Sequence, residues 1–114
     1  MENKSKNKPC PVAKTLSLIG GRWKTVILYQ LSDHTRRFGE LAVRIPPISR
    51  KVLSDQLKEL ELDGLVYRQE FKEMPPRVEY SLTDLGNSVK PILESMATWG
   101  NEVLLSADSN QMNN

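Results

Sequence analysis

Ile48 to Gly64 reads ISRKVLSDQLKELELDG, and its spacing predicts a single helix. Ser49 stands where an N-cap is needed, its hydroxyl able to accept from an otherwise unpaired amide of the first turn. Leu53, Leu57 and Leu60 recur at i, i+4 and i+7 and so share one face. At roughly 100° per residue, Lys51, Ser54, Asp55 and Lys58 fall on the opposite face. Gly64 follows as a stop signal. One face therefore suits a core, and the other carries ammonium and hydroxyl groups in its N-terminal half. That layout fits a helix laid in a DNA major groove, and it equally fits a solvated amphipathic helix. The flanking segments must decide.

Upstream, Arg36-Arg37-Phe38 reads as a short extended piece. Phe38 to Ile45 reads as a brief helix with Phe38, Leu41, Ala42 and Ile45 facing inward. Pro46-Pro47 forbids its continuation, because proline lacks the amide and restrains the residue before it. Short helix, tight turn and longer helix together make a helix-turn-helix, in which the second helix enters the groove. Downstream the period changes. Leu65–Lys72 is rich in strand formers, Glu73-Met74-Pro75-Pro76 is a turn, and Arg77–Leu82 alternates. Val78, Tyr80 and Leu82 share one side of that strand; Arg77, Glu79 and Ser81 share the other. A hairpin directly after the second helix is a wing. Lys72 and Arg77 flank its tip, where phosphates or a minor groove would lie; a plain structural hairpin with ordinary surface charge is the other reading.

The outer segments complete the chain. Pro9-Cys10-Pro11 opens a helix running to about Ile19, with Val12, Leu16 and Ile19 on one face. Cys10 then sits at that helix's N-terminus, where the dipole and free amides favour the reactive thiolate; an inert terminal cysteine is the alternative. Gly20-Gly21 breaks this helix, and Arg22 to Leu31 forms another with Trp23, Val26, Ile27 and Leu31 inward. His34 lies in a polar turn without a second His or a nearby Cys, a poor metal ligand or catalytic base. Thr83 or Asp84 caps the last helical region, whose stripe comprises Leu85, Val89, Ile92, Leu93, Met96, Trp99 and Val103. Pro91 predicts a break near Lys90. The core closes without this last helix, so Val12, Leu16, Ile92, Met96, Trp99 and Val103 are expected to pack on a second copy of the chain.

Composition agrees with one folded domain. The chain has 114 residues, 39% hydrophobic and 26% charged. No apolar run approaches the ~20 residues of a membrane span. MENKSKNKPCP lacks the apolar stretch of a signal peptide, and one cysteine cannot form an internal disulfide, so a cytoplasmic protein is the default. The net charge of +2 is unevenly placed: residues 1–54 hold 11 Lys/Arg against 3 Asp/Glu, and residues 55–114 hold 5 against 11. A basic first half suggests a polyanion partner, although three of its lysines lie in the N-terminal tail. There are no paired carboxylates at acid/base spacing, no Gly-rich phosphate loop and no metal cluster, so neither an enzyme nor a cofactor is expected.

Taken together, CPVAKTLSLIGGRWKTVIL (10–28), RFGEL (37–41), ISRKVLSDQLKELELDGLVYR (48–68), PPRVEYSLTDLG (75–86) and the later Pro91 and Trp99 resemble the HxlR-type transcriptional regulators. This is a winged helix-turn-helix family related to the MarR type. Arg22 stands where the family usually has lysine. The resemblance implies a mainly α fold with a small β-hairpin, built as a winged helix-turn-helix over residues 9–105 between flexible tails at 1–8 and 106–114. It further implies a bacterial or archaeal homodimer that joins through its terminal helices and binds double-stranded DNA at a pseudo-palindromic operator, usually as a repressor. Readout would fall to Ser49, Arg50, Lys51 and Ser54, with Asp55 and Lys58 beside them and Lys72 and Arg77 on the wing. Some family members sense oxidants or electrophiles through a cysteine at the position of Cys10. A winged-helix module that binds protein in place of DNA is the rival reading.

Overall fold

The computed structural model describes residues 8–106, so the tails expected at 1–8 and 106–114 lie outside the described residues apart from Lys8 and Ser106. The elements, in order, are α1 (Pro11–Ile19), α2 (Lys24–Gln30), β1 (Arg36–Arg37), α3 (Phe38–Arg44), α4 (Arg50–Leu62), β2 (Val66–Phe71), β3 (Arg77–Leu82), α5 (Asp84–Asn87) and α6 (Lys90–Trp99). A π-helical stretch, Gly100–Leu105, prolongs α6.

The core forms where the apolar faces of α2, α3, α4 and α6 meet the sheet, so the last helix, expected to be surplus to the core, helps to close it through Leu93. Ile27, Leu28, Leu41, Leu53, Leu57, Leu60, Leu65 and Val66 are its fully buried side chains. The three leucines of the α4 face are thus all interior, as their spacing requires. Trp23, Phe38 and Ala42 are partly buried against this cluster. Val26, expected inside, instead sits at the surface. Ile27 is interior as expected and Leu28, not Val26, joins it, because α2 begins at Lys24 and its seven residues offer the core only one narrow stripe.

The Arg36-Arg37 piece turns out to be a strand. It pairs antiparallel with β3, Arg36 opposite Tyr80 and Arg37 opposite Glu79, giving a three-stranded sheet of order β1-β3-β2. Two residues carry no alternation to read, which is why the sequence shows an extended piece here and not its pairing. Buried Arg36 anchors the strand: its Nε donates to the Gln30 carbonyl at 2.6 Å, closing the end of α2 onto the sheet. Across β2 and β3, Val66 faces Leu82, Arg68 faces Tyr80 and Glu70 faces Val78.

The junction after α4 is tightly bonded. Gly64 takes φ 78°, a region that costs other residues a Cβ clash. The Leu65 amide then donates to the Leu60 carbonyl at 2.9 Å and the Gly64 amide to Glu61 at 3.1 Å, satisfying carbonyls at the helix end. Thr83 clamps the same turn from the far end of β3. Its hydroxyl donates to the Gly64 carbonyl at 2.5 Å and accepts from the Gly86 amide at 3.1 Å, while its amide donates to Leu65 at 3.1 Å. Thr83 is the N-cap of α5. Pro91 then occupies the first turn of α6, where its missing amide costs nothing, so the expected break near Lys90 is a helix start.

Gly86 is buried under this junction, and a Cβ there would run into the Leu65 carbonyl oxygen. Gly86→Ala is therefore expected to destabilise the fold by about 1–3 kcal/mol, the usual scale for overpacking. Gly100→Ala, whose added carbon meets nothing, is expected to leave stability unchanged or slightly raised. Urea unfolding followed by circular dichroism checks both.

Candidate nucleic-acid interface

The opening turn of α4 is shaped by its cap. The Ser49 hydroxyl accepts from the Val52 amide at 3.1 Å, so the helix begins at Arg50 with its first residues clear of the core. Ser49, Arg50, Lys51 and Lys58 are exposed, and Ser54 and Asp55 are half-buried. Ser49, Lys51, Ser54, Asp55 and Lys58 thus remain available on a helix whose other face holds Leu53, Leu57 and Leu60 inside. Arg50 lies nearer the core side of the wheel, and its guanidinium sits 5.7 Å from the Phe38 ring centroid, linking the two helices of the helix-turn-helix. Lys51 is 83% exposed, and its Nζ lies 2.9 Å from Asp55 Oδ2. An exposed pair of this kind contributes at most ~1 kcal/mol.

One acidic residue of the C-terminal half of α4 serves the scaffold. Glu59 meets Lys24 of α2 at 2.7 Å, and the lysine side chain is nearly buried. This pair holds the helix against α2, one turn beyond Asp55.

At the hairpin the two cations differ. Lys72 is exposed and forms no ion pair among the described residues. Arg77 is 27% exposed, meets Glu73 at 3.0 Å and Glu79 at 3.4 Å, and lies 4.0 Å from the Phe71 ring centroid. Its Nε is buried without a hydrogen-bond partner. Arg77 therefore braces the end of the hairpin with its charge already matched, and Lys72 is the open cation.

Arg68 went unassigned in the sequence reading. It stands opposite Tyr80 in the strand register, on the side of the hairpin that also carries Val66, Val78 and Leu82. The Tyr80 side chain beside the guanidinium raises the Arg68 pKa above its ordinary value. The signal was present: counting by twos back from Val78-Tyr80-Leu82 across the turn puts a cation on the helix-facing side.

Elsewhere, Cys10 is a free, exposed thiol that caps α1 through its carbonyl, which accepts from the Lys14 amide at 2.9 Å. His34 contacts Asp33 at 3.3 Å in an exposed loop, and this contact holds the Asp33 carboxyl below its usual range. Among the described residues no group of three or more His, Cys, Asp or Glu could hold a metal. No described helix is long and apolar enough to cross a membrane.

An apolar face lies on the terminal helices. Val12, Leu16, Ile92, Met96, Trp99 and Val103 are all exposed, Trp99 by 57%. Two clefts run through it, sharing Thr25 and Met96. Val26 and Tyr29 line one of them, which accounts for the surface position of Val26.

A family model described as HxlR-like helix-turn-helix matches residues 18–108. An HTH-type transcriptional regulator of Halalkalibacterium halodurans is 56% identical over 91 residues, covering 79% of this chain and 80% of that one. Among solved structures, the redox regulator HypR in its oxidized form superposes with a TM-score of 0.78 at 44% identity, over 81% of this chain and 95% of that one. The reduced form of the transcriptional regulator YodB from Bacillus subtilis gives 0.71 at 37%, over 85% and 96%.

Proposed function

From its membership of the HxlR-like helix-turn-helix family of transcriptional regulators, to which this chain belongs, we propose that the protein is a cytoplasmic, homodimeric repressor reading a pseudo-palindromic operator. The observation that carries this is the exposed N-terminal half of α4, Ser49 to Ser54, capped and presented by a helix whose opposite face is wholly buried. Lys58 and Lys72 neutralise phosphates, a sequence-independent contribution that falls steeply with salt. Base-edge contacts supply specificity: Arg50 or Lys51 to guanine, Ser54 to either strand, and Asp55 to the cytosine amino group once Lys51 has released it.

The second copy covers the face of Val12, Leu16, Ile92, Met96, Trp99 and Val103. Large contiguous apolar surface of this kind marks an association site. Two-fold symmetry then sets two α4 helices roughly 34 Å apart, one DNA turn, along a palindromic site.

Cys10 begins the helix that carries Val12 and Leu16, and a solved relative is by name a redox regulator. An oxidant such as diamide takes two electrons and two protons from two Cys10 thiols. One S–S bond forms between protomers and the diazene becomes a hydrazine. That bond shifts α1, and with it the spacing of the two α4 helices. A mismatch of a few Å loses contacts worth ~1–3 kcal/mol each.

Sedimentation at micromolar concentration is expected to give a dimer; monomer alone contradicts the assembly. In a salt-titrated mobility-shift assay on DNA co-purified with the protein, Lys51→Ala is expected to weaken specific binding markedly and Lys4→Ala hardly at all; equal effects contradict the assignment. Operator binding is expected to change on diamide treatment in the wild type and not in Cys10→Ser. A wild type that responds no more than the variant removes the sensor role.

A further inference from the structure

Between α4 and β2 lies an open notch of about 290 Å³, lined by Ser54, Leu57, Lys58, Glu61, Arg68 and Tyr80. It differs in kind from the apolar clefts of the terminal helices. One wall, from α4, presents a hydroxyl and an ammonium. The other, from β2 and β3, presents a guanidinium beside a phenol.

Duplex DNA gives this notch a natural occupant. A major groove is about 12 Å wide and its neighbouring minor groove about 6 Å, and a single sugar-phosphate strand separates them. A protein that lays a helix in the first and a hairpin tip in the second straddles that strand. On this protein the space between helix and hairpin is the notch. We propose that the notch seats the backbone phosphates of the strand between the two grooves, with Lys58 gripping them from α4 and Arg68 from β2. This rests on the DNA-binding reading above and adds Arg68 to its contacts.

Three features suit Arg68 to the task. Its planar fork matches phosphate oxygens in a bidentate manner that an ammonium cannot. Tyr80, its cross-strand partner, is buried beside it and lines the same notch, so the guanidinium stands against a packed wall. Among the described residues its only ion pair is a long one, 3.6 Å to Glu70, with both partners substantially exposed. Such a pair yields to a phosphate at little cost. Glu61 also lines the notch, and its carboxylate acts on Arg68 and opposes a phosphate seated there. The contact carries no sequence information, since it reads only the backbone.

The test is the slope of log K against log salt for duplex binding by the full chain. Arg68→Ala is expected to weaken binding roughly tenfold on every sequence and to lower the magnitude of the slope by about 1, leaving the ratio of specific to non-specific affinity unchanged. Arg68→Lys is expected to retain the slope. Arg68→Gln, which keeps a polar group against Tyr80, gives the same slope loss should the alanine variant fold poorly. An unchanged slope in folded Arg68→Ala or Arg68→Gln overturns the phosphate seat while leaving the DNA-binding reading intact. A wild type with no salt-dependent duplex binding overturns both.

Discussion

The geometry of this protein depends on the turn at Gly64. A left-handed residue there lets α4 end and β2 begin within three residues, and the Leu60 and Glu61 carbonyls are satisfied in the same step. Thr83 then ties the end of β3 to that turn through its hydroxyl and its amide. Because α4 and the hairpin meet at a bonded junction, the angle between them is set by hydrogen bonds and by the packing of Leu60 against Leu65. The notch between them, and the relation of the Lys51 face to the Lys72 tip, inherit that angle. A flexible linker in place of Gly64 and Thr83 would leave the same side chains present but unplaced.

Much of this was legible in the residues. The leucine spacing of α4, the Ser49 cap, the Pro46-Pro47 stop and the alternation of Arg77–Leu82 each carry a local physical meaning, and these meanings agree with one another. Three features were not legible. The strand Arg36-Arg37 is too short to show a period and exists through its pairing with β3 and the bond from Arg36 to Gln30. The bracing of Arg77 depends on Glu73, Glu79 and Phe71 meeting across a turn, whereas sequence shows only a cation near a tip. The surface position of Val26 follows from the narrowness of α2 and from its place beside α6, a tertiary matter that spacing within one short helix cannot decide.

The distribution of apolar residues separates two jobs. Val89 and Leu93 turn inward and close the core, whereas Ile92, Met96 and Trp99 of the same segment stay outside. A single stripe in the sequence thus divides into one face that completes the monomer and one that the monomer leaves open. Val12 and Leu16 extend the open face from the other end of the chain. Both termini contribute to it, so a change at Cys10 is one helical turn from the apolar surface on which the proposed assembly relies.

The pair of Lys51 and Asp55 bears on how such a helix searches for its site. At 2.9 Å the carboxylate cancels much of the lysine's field beyond the first few ångströms, and salt at physiological strength screens the remainder within about 8 Å. In the DNA-binding reading an arbitrary duplex therefore gains little from Lys51. Only a base pair that offers a donor to Asp55 and an acceptor to Lys51 together can draw the two apart without loss. In the DNA-binding reading the aspartate acts as a brake on dwell time at wrong sequences: less time spent at each, and more sites sampled before the right one is held.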